Sequence, residues 1–191
     1  MYYKKILAAA LTVSCIGGIV PANSVQAASL KIRYSGKTRY YKGKQLHVSY
    51  ANKNLSSKYV GIQINKVNMI PYYDYLVKQG PKVKRTYSKS SGKLILKNGD
   101  DTLTAYVGKR TYYLNGVKKT FSVAPTKVKY YKTKKTIILI PANAIVKGLG
   151  LNYKYSSSSK RIYITQPVIP SDSTTQVQTQ PSGSVQYTNY N

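Results

Sequence analysis

Apolar and polar residues alternate along several short segments of this chain, and the alternation predicts a protein built largely from β-strands. In residues 45–50 every second residue is apolar, starting at Leu46, so these side chains share one face of a strand. The same pattern recurs at residues 93–96, 102–107, 120–123 and 161–165. Two-residue hairpin turns are predicted at Asn98-Gly99 and Asn115-Gly116, with a weaker turn at Gly43.

Two segments with the same boundaries, seventy residues apart, interrupt the strands. Residues 71–80 and 141–150 each begin with proline and end with glycine, which is typical of the first and last positions of a short helix. Gln79 stands where the second segment has Leu149, so the first helix has the poorer apolar face. We therefore predict an α+β fold, with small twisted antiparallel sheets each packed on a short helix, in two tandem copies. The predicted units are a degenerate first repeat at 29–96 and a second repeat at 97–166.

The two ends of the chain differ from the rest in composition. Residues 1–27 contain a short basic start, a continuous apolar stretch and a small-residue site, which is typical of a secretory signal peptide cleaved before Ala28. Two alternatives stay open, namely an uncleaved membrane anchor and lipoprotein processing at Cys15, the only cysteine. Residues 167–191 are rich in Ser, Thr, Gln and Pro and are predicted to be disordered.

The charge of the chain is strongly one-sided, with 31 Lys and Arg against four acidic residues and a net charge of +27. Such a field attracts polyanions, although a basic surface that only maintains solubility is the alternative. Together with the export signal, it predicts a secreted or cell-surface protein of a Gram-positive bacterium, with no integral membrane span after processing. The expected partner is an anionic cell-wall polymer or polysaccharide such as teichoic acid, and extracellular DNA is the alternative.

Basic residues cluster in several segments and are interleaved with tyrosines. Cations can bind phosphate, while aromatic rings can stack on bases or pack against sugar rings. The predicted polyanion-binding residues are Lys82, Lys84, Arg85, Lys118, Lys119, Lys132, Lys134, Lys135, Lys160 and Arg161. The predicted stacking residues are Tyr130, Tyr131 and Tyr153.

The groups that catalysis requires are scarce, so the chain is predicted to be non-enzymatic, with no cofactor and no metal. His47 is the sole histidine, and one imidazole without cysteines cannot build a zinc or copper site. Glycoside hydrolysis needs two carboxylates that flank one bond, whereas Asp100 and Asp101 are neighbours at a turn. A hydrolase with a cryptic site that also uses Asp74 is the alternative from another functional class.

Residues 97–166 resemble a known family, and residues 38–96 resemble it more weakly. The residues that carry the resemblance are Leu114-Asn115-Gly116, Ile140-Pro141, Leu149-Gly150, Tyr153-Lys154-Tyr155 and Ile162-Tyr163-Ile164. They resemble the module named after the N-terminal domain of copper amine oxidases, often called a stalk domain in secreted bacterial proteins. The resemblance implies a small α+β fold, a twisted antiparallel sheet wrapped on one helix. It implies neither copper nor oxidation, because the chemistry of those enzymes belongs to a different domain.

Overall fold

The computed structural model describes residues 29–43 and 45–168, so the predicted signal peptide and nearly all of the predicted tail lie outside the described residues. Within these ranges the chain forms fifteen strands and two short helices. The strands are β1 (Leu30–Tyr34), β2 (Lys37–Tyr41), β3 (His47–Tyr50), β4 (Lys53–Leu55), β5 (Ile62–Ile64), β6 (Val67–Pro71), β7 (Lys84–Tyr87), β8 (Lys93–Asn98), β9 (Asp101–Tyr106), β10 (Thr111–Leu114), β11 (Val117–Thr120), β12 (Thr126–Tyr130), β13 (Lys135–Pro141), β14 (Asn152–Ser156) and β15 (Arg161–Thr165). The helices are a π-helix (Tyr73–Gln79) and α1 (Ala142–Gly148).

The strands assemble into three sheets. Their strand orders are β2-β1-β12-β13-β6-β5, β11-β10-β9-β8-β7 and β14-β15-β3-β4. The pairs between these strands are antiparallel except for β15 and β3, which run parallel. A fold of mostly antiparallel sheets with two short helices agrees with the predicted α+β class.

Each sheet draws strands from both halves of the chain. At the centre of the six-stranded sheet, β6 pairs with β13 and places Ile70 directly opposite Ile140. The predicted boundary between residues 96 and 97 falls inside β8, and strands from both sides of it meet in all three sheets. The structure therefore differs from the predicted arrangement of two successive units. In each sheet, a strand of one half pairs with a strand of the other half whose edge would otherwise be unpaired.

Tight turns connect most neighbouring strands. Four hairpins have two-residue loops in which both residues have positive φ, the type I′ geometry that matches the twist of the strands. These loops are Ser35-Gly36, Ala51-Asn52, Asn65-Lys66 and Asn115-Gly116. The prediction at Asn115-Gly116 is confirmed. The predicted Asn98-Gly99 loop is one residue too early, because Asn98 pairs with Asp101 and leaves Gly99-Asp100 as the loop.

The two faces of the six-stranded sheet differ in how they are covered. On one face, Ile32, Val128, Leu139 and their neighbours form a buried cluster that crosses most of the sheet. On the other face, Ile70 and Ile140 join a larger core that includes residues of both helices and of the other two sheets. The three strands β2, β1 and β12, which form one side of this sheet, carry exposed side chains on that second face. The site described next lies on this uncovered part.

Candidate functional site

A cleft of about 700 Å³ lies where the uncovered face of the six-stranded sheet meets two turns of the five-stranded sheet. The sheet contributes Arg33 from β1 together with Lys127 and Lys129 from β12. The turns contribute Lys89, which follows β7, and Gly108, which follows β9. Four cations from three separate stretches of chain therefore line one depression, which we call the basic cleft.

The strand register fixes the closest pair of these cations. Arg33 lies directly opposite Lys129 on adjacent antiparallel strands, so both side chains project from the same face. Lys127 is two residues from Lys129 and shares that face. Like charges directly opposite one another on neighbouring strands are destabilising. The fold thus holds a like-charge pair at the floor of the cleft.

Among the described residues, the lining of this cleft is free of carboxylates. No acidic residue is among its lining residues in the described part of the chain. Asp100 and Asp101 lie at the opposite end of β8 from the Lys89 turn, a separation of about 20 Å for a strand of this length. Asp101 accepts a hydrogen bond from the Asn115 amide at 2.9 Å, and Asp74 accepts one from the Ser57 hydroxyl. None of the described acidic groups therefore lines the basic cleft, although Asp74 shares a neighbouring pocket with the cleft residue Thr136.

Hydroxyl groups fill the space between the cations. The hydroxyl-bearing lining residues are Tyr34, Ser35, Ser90, Ser91, Thr126 and Thr136. A hydroxyl can donate to an anion or accept from an ammonium group, so it accommodates a phosphate held by the neighbouring lysines. The lining thus combines fixed positive charge with adaptable hydrogen-bond donors.

Tyr131 lies beside the basic cleft and is surrounded by positive charge. The Lys31 and Lys129 ammonium groups lie 5.0 Å and 5.5 Å from the centre of its ring, within cation–π range. Its hydroxyl is hydrogen-bonded to the Thr38 hydroxyl at 3.0 Å. The Thr38 hydrogen bond, together with the positive charges of Lys129, Arg33 and Lys31, lowers the pKa of Tyr131. The hydrogen bond is the larger cause of this shift, and the three cations add to it.

The ten predicted polyanion-binding residues do not converge on one site. Those around β7 and those on β11 occupy opposite edges of the five-stranded sheet, about 19 Å apart across four strand spacings. The others lie near the turn after β12 and near the turn after β14. Three of the ten have structural contacts. The Lys82 ammonium donates a hydrogen bond to the Lys78 carbonyl. The Arg85 guanidinium lies 4.7 Å from the Tyr73 ring centre, and Arg161 donates hydrogen bonds to Ser49 and Asn54.

One of the three predicted stacking residues is wrong. Tyr130 is only 2% exposed, and its hydroxyl donates to the Val60 carbonyl at 2.6 Å. Alternation along β12 points its ring into the core while the flanking lysines face solvent. Tyr131 is partly exposed beside the cleft, whereas Tyr153 is partly buried in a separate pocket. His47 is exposed on β3, on the opposite face from Val48 as predicted.

Sequence reasoning missed Arg33 and Lys89 and did not single out Lys127 and Lys129. A signal for three of them exists in the sequence. Residues 31–33 read Lys-Ile-Arg and residues 127–129 read Lys-Val-Lys, and such alternation places both cations on one face of a strand. The pairing of β1 with β12 brings the two segments together, and that pairing has no local signature in the sequence.

Comparison with known proteins identifies the family. The family model for the copper amine oxidase N-terminal domain matches residues 51–164, more than half of the chain, and the chain belongs to this family. The resemblance seen in the sequence is thereby confirmed. In copper amine oxidases this domain is a non-catalytic stalk module. No curated protein and no solved structure matches the chain.

Two further searches covered the described residues. No three side chains of His, Cys, Asp or Glu come together there in a way that could hold a metal ion. Neither of the helices in that part of the chain has the length and apolar character needed to cross a membrane.

Proposed function

We propose that this protein is a secreted, non-catalytic module that binds an anionic polymer of the cell envelope, with teichoic acid as the representative ligand. The observation that carries the proposal is the like-charge pair of Arg33 and Lys129, directly opposite on adjacent strands of a cleft without carboxylates. Cross-strand neighbours have Cβ atoms about 5 Å apart, and two like charges held at that distance in water would repel each other by on the order of 1 kcal/mol. A phosphate bound between the two side chains would replace this repulsion with two attractions.

The chemistry of teichoic acid suits this arrangement. Its phosphates repeat along a flexible chain, so one phosphate can occupy the basic cleft while its neighbours contact lysines elsewhere on the surface. The scattered predicted cations, including Lys118 and Lys132, would then contribute long-range attraction rather than a defined site. A net charge of +27 makes such attraction strong at low salt.

The placement of the acidic groups supports a non-catalytic role. Asp74 and Asp101 are each engaged by a neighbouring polar side chain, Ser57 and Asn115. A hydrolase would need two carboxylates facing one substrate bond. We therefore propose binding rather than turnover. A variant in which Asp74, Asp100 and Asp101 are all changed to Asn should retain full polymer binding.

We also propose that the two halves are diverged copies of one unit, related by an approximate twofold axis between Ile70 and Ile140. The register supports this, because Pro71 pairs with Leu139 and Pro141 pairs with Met69, and both pairs are consistent with an offset of seventy. The sheets support it too. Hairpin β10-β11 corresponds to β3-β4, and β7-β8 corresponds to β14-β15. Within these two sheets only β9 is extra among the described strands. Its counterpart is missing between β3 and β15, so these two strands pair directly and run parallel. In the six-stranded sheet, β1 and β2 also have no described counterpart beyond β5.

The proposed function is tested by titrating the mature protein with a purified glycerol-phosphate teichoic acid at several salt concentrations. The double variant Lys127→Gln/Lys129→Gln should reduce the slope of log affinity against log salt by about 1.4, taking about 0.7 per phosphate contact on a flexible chain. The matched control is Lys118→Gln/Lys119→Gln, which removes the same charge from the exposed strand β11. Equal effects of the two variants would show that the basic cleft is not the binding site.

Nucleic acid is the second candidate, and the position of Tyr131 favours it. A partly exposed ring beside the cleft cations could stack on an unpaired base. Competition between single-stranded DNA and teichoic acid at fixed salt distinguishes the two ligands. If DNA binds more tightly and Tyr131→Leu weakens only DNA binding, the nucleic-acid function replaces the envelope function.

A further inference from the structure

A second pocket, distinct from the basic cleft, lies between the start of α1 and strands β6 and β14. Its volume is about 300 Å³. The residues that matter for its chemistry are Asn68, Asn143, Tyr153 and Tyr155, with Lys66 also contributing to the lining. We call it the tyrosine–amide pocket. It offers two tyrosine rings and two neutral amides, whereas the described lining of the basic cleft has four cations and no amide side chain.

Hydrogen bonds hold the polar groups of this pocket in place. Asn68 donates through its amide nitrogen to the Tyr153 hydroxyl at 2.8 Å, and its amide oxygen accepts from Gln63 at 2.8 Å. Because the Tyr153 oxygen accepts the bond from Asn68, its own hydroxyl proton can be donated to a ligand. Burial raises the pKa of Tyr153, so this proton is retained at neutral pH. The exposed Asn143 amide forms no hydrogen bond with any described residue, which leaves its donor and acceptor available.

The corresponding place in the first half has different chemistry. A pocket of about 190 Å³ there is lined mainly by apolar and aromatic residues, together with Asp74 and Thr136. The Arg85 guanidinium stacks on the Tyr73 ring at 4.7 Å. Seventy residues separate the corresponding positions: Pro71 and Pro141, Tyr73 and Asn143, Ile138 and Asn68, Arg85 and Tyr155. In the first half, the stacked pair of Arg85 and Tyr73 lies at this place. In the second half, the pocket is larger and includes two amide side chains in its lining.

We propose that the tyrosine–amide pocket binds a neutral pyranose ring of a glycan. A pyranose has apolar C–H faces and a rim of hydroxyl groups. The rings of Tyr153 and Tyr155 offer apolar surface, and the Asn143 amide with the Tyr153 hydroxyl offers hydrogen bonds, a combination typical of small-ligand sites. The basic cleft would not distinguish one neutral sugar from another. The pocket therefore adds a recognition of glycan that does not depend on the proposed polyanion binding.

The experiment measures binding of N-acetylglucosamine trisaccharide and of maltotriose by NMR chemical-shift titration of the full mature chain. The buffer contains about 0.5 M NaCl, which screens interactions beyond a few ångströms. We expect saturable binding of at least one sugar, with shifts centred on α1 and β14. Asn143→Ala should weaken that binding by about fivefold, the effect of one lost hydrogen bond. This change leaves the helix intact, because alanine is the best helix former.

Two further variants make the outcome decisive. Tyr155→Leu should reduce binding at least as much, whereas Tyr73→Leu, at the related pocket of the first half, should leave it unchanged; melting curves establish that each variant is folded. The proposal is overturned if neither sugar binds at about 20 mM, a very weak affinity limit. It is also overturned if Asn143→Ala and Tyr155→Leu bind normally, or if Lys127→Gln/Lys129→Gln abolishes sugar binding. Failure of teichoic acid binding in the basic cleft would leave all of these results unaffected.

Discussion

Ionisation of Tyr75 is expected to destabilise the fold at alkaline pH, because its ring is only 2% exposed. Burial, with a smaller contribution from the nearby Asp74 charge, raises the pKa of Tyr75 to about 12. In the unfolded chain the same hydroxyl ionises at about pH 10. The folded state therefore holds a proton that the unfolded state releases. The corresponding stability is present below about pH 10 and is lost as the pH rises towards 12.

The size of the effect follows from these two pKa values. At pH 11 the Tyr75 hydroxyl is mostly ionised in the unfolded chain and mostly protonated in the folded one. The ratio of unfolded to folded protein rises about tenfold, which lowers the free energy of unfolding by about 1.4 kcal/mol. The full loss, above pH 12, is about 2.7 kcal/mol. That is a large fraction of the stability of a typical small protein.

Urea unfolding of the wild type and of Tyr75→Phe at a series of pH values tests the reasoning. The variant loses one long hydrogen bond, from the Tyr75 hydroxyl to the Tyr59 carbonyl at 3.5 Å, and should be only slightly less stable near pH 8. Between pH 8 and pH 11 its free energy of unfolding should fall by about 1.4 kcal/mol less than that of the wild type. Tyr163→Phe, at a side chain 37% exposed, is the control and should follow the wild type. Parallel curves for Tyr75→Phe and wild type would refute the reasoning.

Three further predictions concern the fold. Gly150→Ala should cost about 1–2 kcal/mol in urea unfolding, since φ is +69° and the new Cβ would lie 2.5 Å from an Asp101 carboxylate oxygen. Gly99→Ala, also at positive φ but with open space around it, should cost less. Leu103→Ala should cost about 2–5 kcal/mol, because this fully buried side chain packs beneath α1. A fragment of residues 29–98 should show no cooperative thermal transition by circular dichroism as long as it stays monomeric, whereas residues 29–168 should unfold in one step. A fragment that folds as a monomer would contradict the interleaving.

Local features of the fold could be predicted from the sequence because local residues determine them. Alternation identified β15 with its observed bounds, and Asn115-Gly116 identified its hairpin because both positions need positive φ. The loop at Asn65-Lys66 has the same geometry without glycine, so pairing of the flanking strands determines it rather than the intrinsic preference of its residues. At residues 120–123 the pattern predicted a strand that the structure places earlier, at Val117–Thr120.

The weaker helix illustrates what pattern alone could not provide. The sequence indicated a poor apolar face for the first helical segment, and the structure has a π-helix there. Gln79, the residue that lowers the apolar character, accepts a hydrogen bond from the Ser56 amide at 3.1 Å. Its own amide donates to the Ser56 carbonyl. Gln79 therefore ties the end of the helix to the chain after β4. This is a tertiary contact, which the helical pattern of the sequence does not indicate.

The candidate site was less predictable than the fold. Runs of consecutive lysines attract attention in a sequence, but neighbours in a strand point to opposite faces and so do not form one patch. Lys118 and Lys119 on β11 are such a pair. The basic cleft instead combines cations that alternate along β1 and β12 with a lysine from the turn after β7. Their convergence depends on sheet register over long sequence separations.

The pairing of Ile70 with Ile140 has a consequence for any chain that carries only one half. If the two halves are copies of one unit, a single copy leaves the edge of its β6 equivalent unpaired, and two of its hairpins lack the sheet they complete. Such a half-length chain should be stable only as a homodimer, with the residue equivalent to Ile70 on the symmetry axis. Fusion of two copies would then have replaced a concentration-dependent assembly by an intramolecular one, after which each pocket was free to diverge separately.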